Sequence, residues 1–427
     1  LVLLGIPLAW VEWTIGRIAG EHGHGTAPGA FDVIVRRRWA KYVGIIGIMG
    51  PIIIMIYYTY IESWTLAYAF FSLFKRYGTA TDQHLMKEFL LAYQGITKNQ
   101  YFSSILPAFF FFTLTLLLNI LIVYKGISKG IEKVCKIGMP VLLALGIFLV
   151  IRVLTLKSPV AELSEQNATS GLGFMWNPNF ARLKDARVWL AASGQIFFTL
   201  SVGIGVILTY ASYLKKTDDI PASALASASM NEFAEVILGG TIVIPAAFVF
   251  FGPTQIENIA RSGAFNLGFV SIPLVFLKMS YGNILGFMWF FLLFIAGITS
   301  SISLLQPAIS FFEDELGWHR KKAIVVIGLF LLLTTSLVIF FLPYGFLDEF
   351  DFWGGTFALV LFGTLEAILF GWVLGVEKGF DELHKGAIIR VPVFFKFVIK
   401  YITPLYLIGI LVFWFYKEAI PFILLKG

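Results

Sequence analysis

Acidic and amide side chains fall inside long apolar runs of this sequence. Glu12 sits in WVEW, Glu62 in YIESW, and Asn231 and Glu235 in NEFAEVILGG. A charge at mid-membrane costs at least about 2.5–3.5 kcal/mol on insertion scales, so each of these groups needs a partner or a task. Asn231 and Glu235 are four residues apart and share one helix face, which suits an ion pathway. For Glu62, near the end of its run, a structural polar contact between helices is an open alternative.

Two further stretches could expose backbone to a ligand. Ser201-Val202-Gly203-Ile204-Gly205 lies in the middle of the run from 189 to 213. Each glycine costs a helix about 1 kcal/mol relative to alanine, so a helix would open here. Freed N–H groups favour a carboxylate and freed carbonyls a cation, and both are tolerated in a membrane only where they line a cavity. Close helix packing is the other use of such glycines. In Ala296-Gly297-Ile298-Thr299-Ser300, positions 296, 299 and 300 share a face and offer two hydroxyls and a carbonyl to a hard cation. The hydroxyls can equally bond back to their own helix.

Enzyme chemistry finds little support. A single cysteine, Cys135, excludes an internal disulfide and a cysteine-based metal site. His22 and His24 are separated by one residue in a glycine-rich EHGHGT loop, with no third ligand nearby. No nucleophile cluster is visible. A channel with a continuous polar pore is a rival from another class, and its currents would far exceed carrier turnover.

Only 14% of the 427 residues are charged and 58% are hydrophobic. Soluble domains carry about 25% charged residues, so lipid must solvate this chain. Ten apolar runs approach the length of a spanning helix, near 1–19, 43–74, 102–123, 138–156, 189–213, 223–251, 284–312, 323–343, 352–375 and 391–416. A shorter run at 265–277 predicts a re-entrant or capping helix. Continuous runs exclude a barrel. Of the 32 Lys and Arg, 19 fall at the odd-numbered connections, among them Arg36–Arg38, Lys215, Lys216 and Arg320–Lys322. The positive-inside rule then predicts that these connections are cytoplasmic in a multi-pass protein of the cell membrane. The net charge of +6 therefore implies no nucleic-acid partner. Leu1 opens in mid-run without an initiator Met, so a preceding segment is expected.

The strings GIPLAWVEWTIGR, YYTYIESWTLAYAF, GISKGIEK, GQIFFTLSVGIG, NEFAEVILGG, AGITSSISLLQP and DEFDFWGGT occur together and in order along nearly the whole chain. In this the sequence resembles the neurotransmitter:sodium symporter family. The resemblance implies an all-α polytopic membrane protein, a five-plus-five inverted repeat with a broken helix at mid-membrane, forming one transmembrane domain. The ten runs would be family helices 2 to 11, with helices 1 and 12 outside the chain.

It also implies sodium-driven symport of a small neutral amino acid by alternating access, with two sodium ions and no need for chloride. Thr199 and Asn231 match ligands of the first sodium site, and Ala296, Thr299 and Ser300 match those of the second. Ile54, Tyr58, Phe198, Thr199, Ser201, Ile204, Ser300 and Leu304 match the substrate pocket. There Tyr58 donates to the carboxylate and Ser201 accepts from the ammonium. Phe265 and Asp351 match the outer gate and vestibule, and Asp314 with Tyr213 the inner gate, with the arginine partners of both gates expected from helix 1. Glu235 stands where chloride-dependent members carry serine. The resemblance leaves the exact substrate, the stoichiometry and the oligomeric state open.

Overall fold

Without water, each backbone N–H and C=O in the hydrocarbon layer must bond within the protein, so apolar runs of this length become helices. The computed structural model describes residues 1–156, 166–261 and 263–416. The chain opens with α1 (Gly5–Glu21) and the short α2 (Ala27–Val35). Then come α3 (Ala40–Leu73), α4 (Gln83–Tyr93), α5 (Leu106–Tyr124), α6 (Ile127–Leu154) and the short α7 (Ala168–Trp176). The fifth apolar run is two pieces, α8 (Ala186–Thr199) and α9 (Val206–Ala211). The remainder is α10 (Ile220–Ile256), α11 (Ala264–Leu277), α12 (Gly282–Asp314), α13 (Arg320–Phe340), α14 (Phe346–Leu383) and α15 (Phe394–Trp414).

Eight helices among the described residues are long and apolar enough to span a bilayer, against ten expected runs. The difference lies in α1, of 17 residues, and in the broken fifth run. Several bounds also move outward: α6 begins at Ile127 rather than 138, and α14 runs from Phe346 to Leu383 rather than 352–375. Charged ends such as Lys129, Lys133 and Lys378 extend a helix into the interface, where apolarity alone no longer marks it. The capping helix α11 stands where the run at 265–277 predicts it. The short helices α2, α4 and α7 occupy stretches whose sequence shows no spanning run.

Burial ranks the layers. In their most apolar windows α3 and α12 are 61% buried, whereas α6 and α15 are only 22% and 28% buried. The α3–α12 pair is thus the spine of the molecule. Alongside it, α1 crosses α9 at very close range. A Cβ on Gly16 would stand 2.3 Å from the Leu208 carbonyl oxygen, and one on Gly20 would stand 1.9 Å from that of Ser212. Small residues four apart let backbones approach where lipid supplies no hydrophobic drive between helices. Above the spine, an aromatic cluster of Tyr68, Phe71, Phe89, Tyr93 and Phe102 packs edge-to-face under α4. The first turn of α4 is closed by Asp82, which accepts from Leu85 N at 2.9 Å.

The odd-numbered connections meet at one end. Buried Arg17 donates to Glu382 Oε1 (3.1 Å) and to the carbonyls of Asp218 (3.1 Å) and Lys385 (3.2 Å). Lys216 pairs with Glu21 at 3.2 Å, and Ile388 N donates to Asp219 at 2.8 Å. Arg320 bonds Glu313 and the Val123 carbonyl at 3.1 and 3.2 Å. This common face agrees with the alternation of the loops.

Gly20→Ala should lower the thermal midpoint of the purified protein, since a methyl group there meets backbone. Overpacking of this kind costs about 1–3 kcal/mol. Gly409, where a Cβ meets nothing within 4 Å, is the control, and Gly409→Ala should leave the midpoint unchanged or higher.

Candidate functional site

The SVGIG stretch leaves the helix as its composition predicts. Ser201, Gly203 and Gly205 have φ of 55°, 76° and 71°. The end of α8 is closed by Ser201 N donating to Phe198 O and Val202 N to Phe197 O, both at 3.2 Å. That left-handed cap usually employs glycine, and a serine in it costs about 1–2 kcal/mol. A Cβ on Gly203 would lie 2.4 Å from Leu359 O, and on Gly205 2.3 Å from Gly47 O. The break is therefore held between α14 and α3. Gly203 N, freed from the helix ladder, donates to Oε1 of fully buried Glu12 on α1.

On one side of the break, Thr199 at the last turn of α8 meets α10. Asn231 Nδ2 donates to Thr199 Oγ1 at 2.7 Å, and Thr199 Oγ1 donates to Glu235 Oε2. Gln195, one turn earlier, donates to Glu235 Oε1. The structure thus assembles Gln195, Thr199, Asn231 and Glu235 into one polar cluster across two helices.

On α12 lie Ala296, Thr299 and Ser300. Thr299 Oγ1 donates to Ile295 O and Ala296 O at 3.0 Å each, and Ser300 Oγ donates to Ala296 O at 3.1 Å. The three groups converge on the Ala296 carbonyl, and the hydroxyls bond back to their own helix. Tyr58 on α3 lies against the Ser300 hydroxyl. Ile54, Ile204 and Leu304 are buried, whereas Phe198 keeps 41% of its surface exposed. No charged group is among these wall residues.

The gate residues fall in two separate places. Asp351 stands beside the Tyr57 hydroxyl, and Phe265 packs on Trp64 at 5.6 Å between ring centroids. In the other place Asp314 accepts from Gly25 N at 3.1 Å. Tyr213 accepts from Gln306 Nε2 at 3.1 Å and lies 3.2 Å from Ser310 Oγ. Asp314 and Tyr213 do not bond one another; each has its own partner there.

Glu62 is a structural group. Asn119 Nδ2 donates to both its oxygens at 3.2 and 3.1 Å, and Ser301 Oγ donates to Asn119 Oδ1 at 2.6 Å. This buried chain ties α3, α5 and α12. Sequence reasoning missed Asn119 and also Glu366, whose fully buried carboxyl on α14 lies against Glu12. Both are polar residues in apolar runs, so the criterion that selected Glu12 and Glu62 would have found them.

Residues 99–421 match the sodium:neurotransmitter symporter family. The chain belongs to this family. It is 27% identical over 417 residues to an uncharacterized sodium-dependent transporter of Methanocaldococcus jannaschii, covering 96% of this chain and 80% of that one. It is 27% identical over 314 residues to the sodium-dependent nutrient amino acid transporter 1 of Drosophila melanogaster, covering 70% of this chain and 46% of that protein. Its fold is that of MhsT, solved in complex with L-phenylalanine, at a TM-score of 0.79 and 29% identity over 96% of this chain and 88% of the other. The family is one of transporters. This member is accordingly a multi-pass, sodium-dependent symporter with the five-plus-five inverted repeat and a broken helix.

In this symporter Glu12→Ala should destabilise the protein by about 1–3 kcal/mol, because it strands the buried Gly203 N–H. Glu12→Gln keeps an acceptor oxygen and should recover most of the loss, read as thermal midpoint.

Proposed function

We propose that the protein carries neutral, mainly aliphatic amino acids such as leucine, alanine or methionine, driven by two sodium ions through alternating access. The observation that carries this reading is the broken helix between α8 and α9, with the Thr199–Asn231–Glu235 cluster at its edge. Thr199 and Asn231 would serve one sodium ion, and Ala296, Thr299 and Ser300 the other. Tyr58 would donate to the substrate carboxylate and Ser201 accept from its ammonium. Ile54, Phe198, Ile204, Ser300 and Leu304 would form the side-chain pocket.

Phe265 and Asp351 would close the pocket from one end, and Asp314 with Tyr213 from the other. The whole chain acts as one transmembrane domain in the cell membrane, with the Arg17–Glu382 end in the cytoplasm. The apolar, uncharged wall supports a neutral side chain. A second reading, an aromatic substrate, is favoured by the phenylalanine complex of the 29%-identical relative. Radiolabelled leucine uptake into proteoliposomes under a sodium gradient decides between them. Leucine and methionine should compete strongly and phenylalanine weakly; glutamate or lysine competing in their place would overturn the neutral assignment. Asn231→Ala should weaken sodium activation at least about tenfold.

Chloride is not needed in this reading. Glu235 accepts from Thr199 and Gln195, and a carboxylate there would attract a nearby cation. A carboxylate there does the work of a bound anion. Glu235→Ser should therefore lose uptake in gluconate medium and regain it as chloride is added. Wild-type uptake that requires chloride would end this assignment.

A further inference from the structure

Beyond the transport site, the end of the molecule that gathers the odd-numbered connections carries an open cavity of about 470 Å³ between α14 and α15. Its walls include Trp372, Glu377, Lys378, Lys400 and Tyr401. Trp372 Nε1 donates to the Lys400 carbonyl at 2.8 Å, so the indole fixes the first turns of α15 against α14. Gly375, with φ of 89° and open space where a side chain would begin, keeps the mouth open.

The charges are unbalanced. Glu377 is taken by Lys396. Lys378 and Lys400 have no carboxylate partner among the described residues; Lys400 Nζ lies 5.4 Å from the Tyr401 ring centroid. A second cavity of about 600 Å³ adjoins across Leu374 and Lys378 and adds Arg36, with Asp32 as its acid. Lys400 is only half-exposed, in the second turn of a spanning helix. Trp372 in its wall is 59% exposed, Val373 in the adjoining cavity 50%, and Leu405, one turn after Tyr401, 67%. An interfacial Trp and Tyr beside two unneutralised ammonium groups, with apolar side chains continuing toward mid-membrane, match a phosphodiester above acyl chains.

We propose that this cavity is a binding site for one anionic phospholipid, its phosphate held by Lys378 and Lys400. Its glycerol rests on Trp372 and Tyr401, and its acyl chains leave the cavity past Leu374 and over exposed Leu405, one turn beyond Tyr401 on α15. A free inorganic phosphate would match the ammonium groups but leave the apolar wall unused.

Native mass spectrometry of the full protein, titrated with phosphatidylglycerol or phosphatidylcholine, tests the assignment. One phosphatidylglycerol should persist at stoichiometric occupancy and survive added inorganic phosphate. Each lysine near a membrane surface contributes about fivefold to anionic lipid binding, so Lys378→Gln with Lys400→Gln should weaken it about 30-fold. The same pair changed to Arg should retain it, which separates loss of charge from loss of fold. Lys133→Gln with Lys136→Gln, at another connection, should leave it unchanged. Equal retention of phosphatidylglycerol by the Gln pair, equal affinity for phosphatidylcholine, or displacement by inorganic phosphate would each overturn the proposal.

Discussion

In a solvent that cannot hydrogen-bond, an unwound stretch of backbone is tolerated only where protein groups receive its freed N–H and C=O groups. The rest of this structure depends on how that requirement is met between Thr199 and Val206. The Gly203 N–H is received by a carboxylate that belongs to α1. Two glycines press against carbonyls of α14 and α3 at distances that exclude any side chain. Ser201 accepts a left-handed conformation to close α8. The break is therefore a built feature with contributions from three other helices.

The buried polar groups fall into several hydrogen-bonded sets. Glu62, Asn119 and Ser301 satisfy one another and fasten α3, α5 and α12 together. Buried charges joined to full hydrogen-bond networks rigidify the elements that carry them. Arg17 does the same at the other end, joining α1 to the connection before α10 and to the end of α14. Thr199, Asn231 and Glu235 bond one another at the end of α8, beside the unwound backbone, and the hydroxyls of Thr299 and Ser300 bond carbonyls of α12 itself. A rigid frame around a polar, irregular centre is the arrangement that secondary transporters of this fold use.

Close packing sets how that frame is built. Membrane helices gain little from mutual burial of apolar surface, so contact relies on shape. Gly16 and Gly20 bring α1 against the backbone of α9, and the aromatic cluster under α4 fills the opposite end with large, edge-to-face rings. The most buried helices are α3 and α12, and of these α3 backs the break at Gly47, while α6 and α15 are the least buried of the spanning helices.

Local rules were enough for much of this. Apolar run length established the membrane class and most of the helices, because lipid solvation depends on composition over about 20 residues. Glycine spacing located the break, because helix propensity is a property of single residues. The i, i+3, i+4 rule placed Asn231 with Glu235 and Ala296 with Thr299 and Ser300, because both groups lie within one helix. What crosses between helices was not legible. Glu12 reaches Gly203 across 191 residues and Arg17 reaches Glu382 across 365. Nothing in YIESW says that Glu62 ends on Asn119 rather than in a pathway. Helices far too short to span, such as α2 and α7 at nine residues each, left no run to detect. Those choices rest on which faces meet when the bundle closes, and only the tertiary structure decides that.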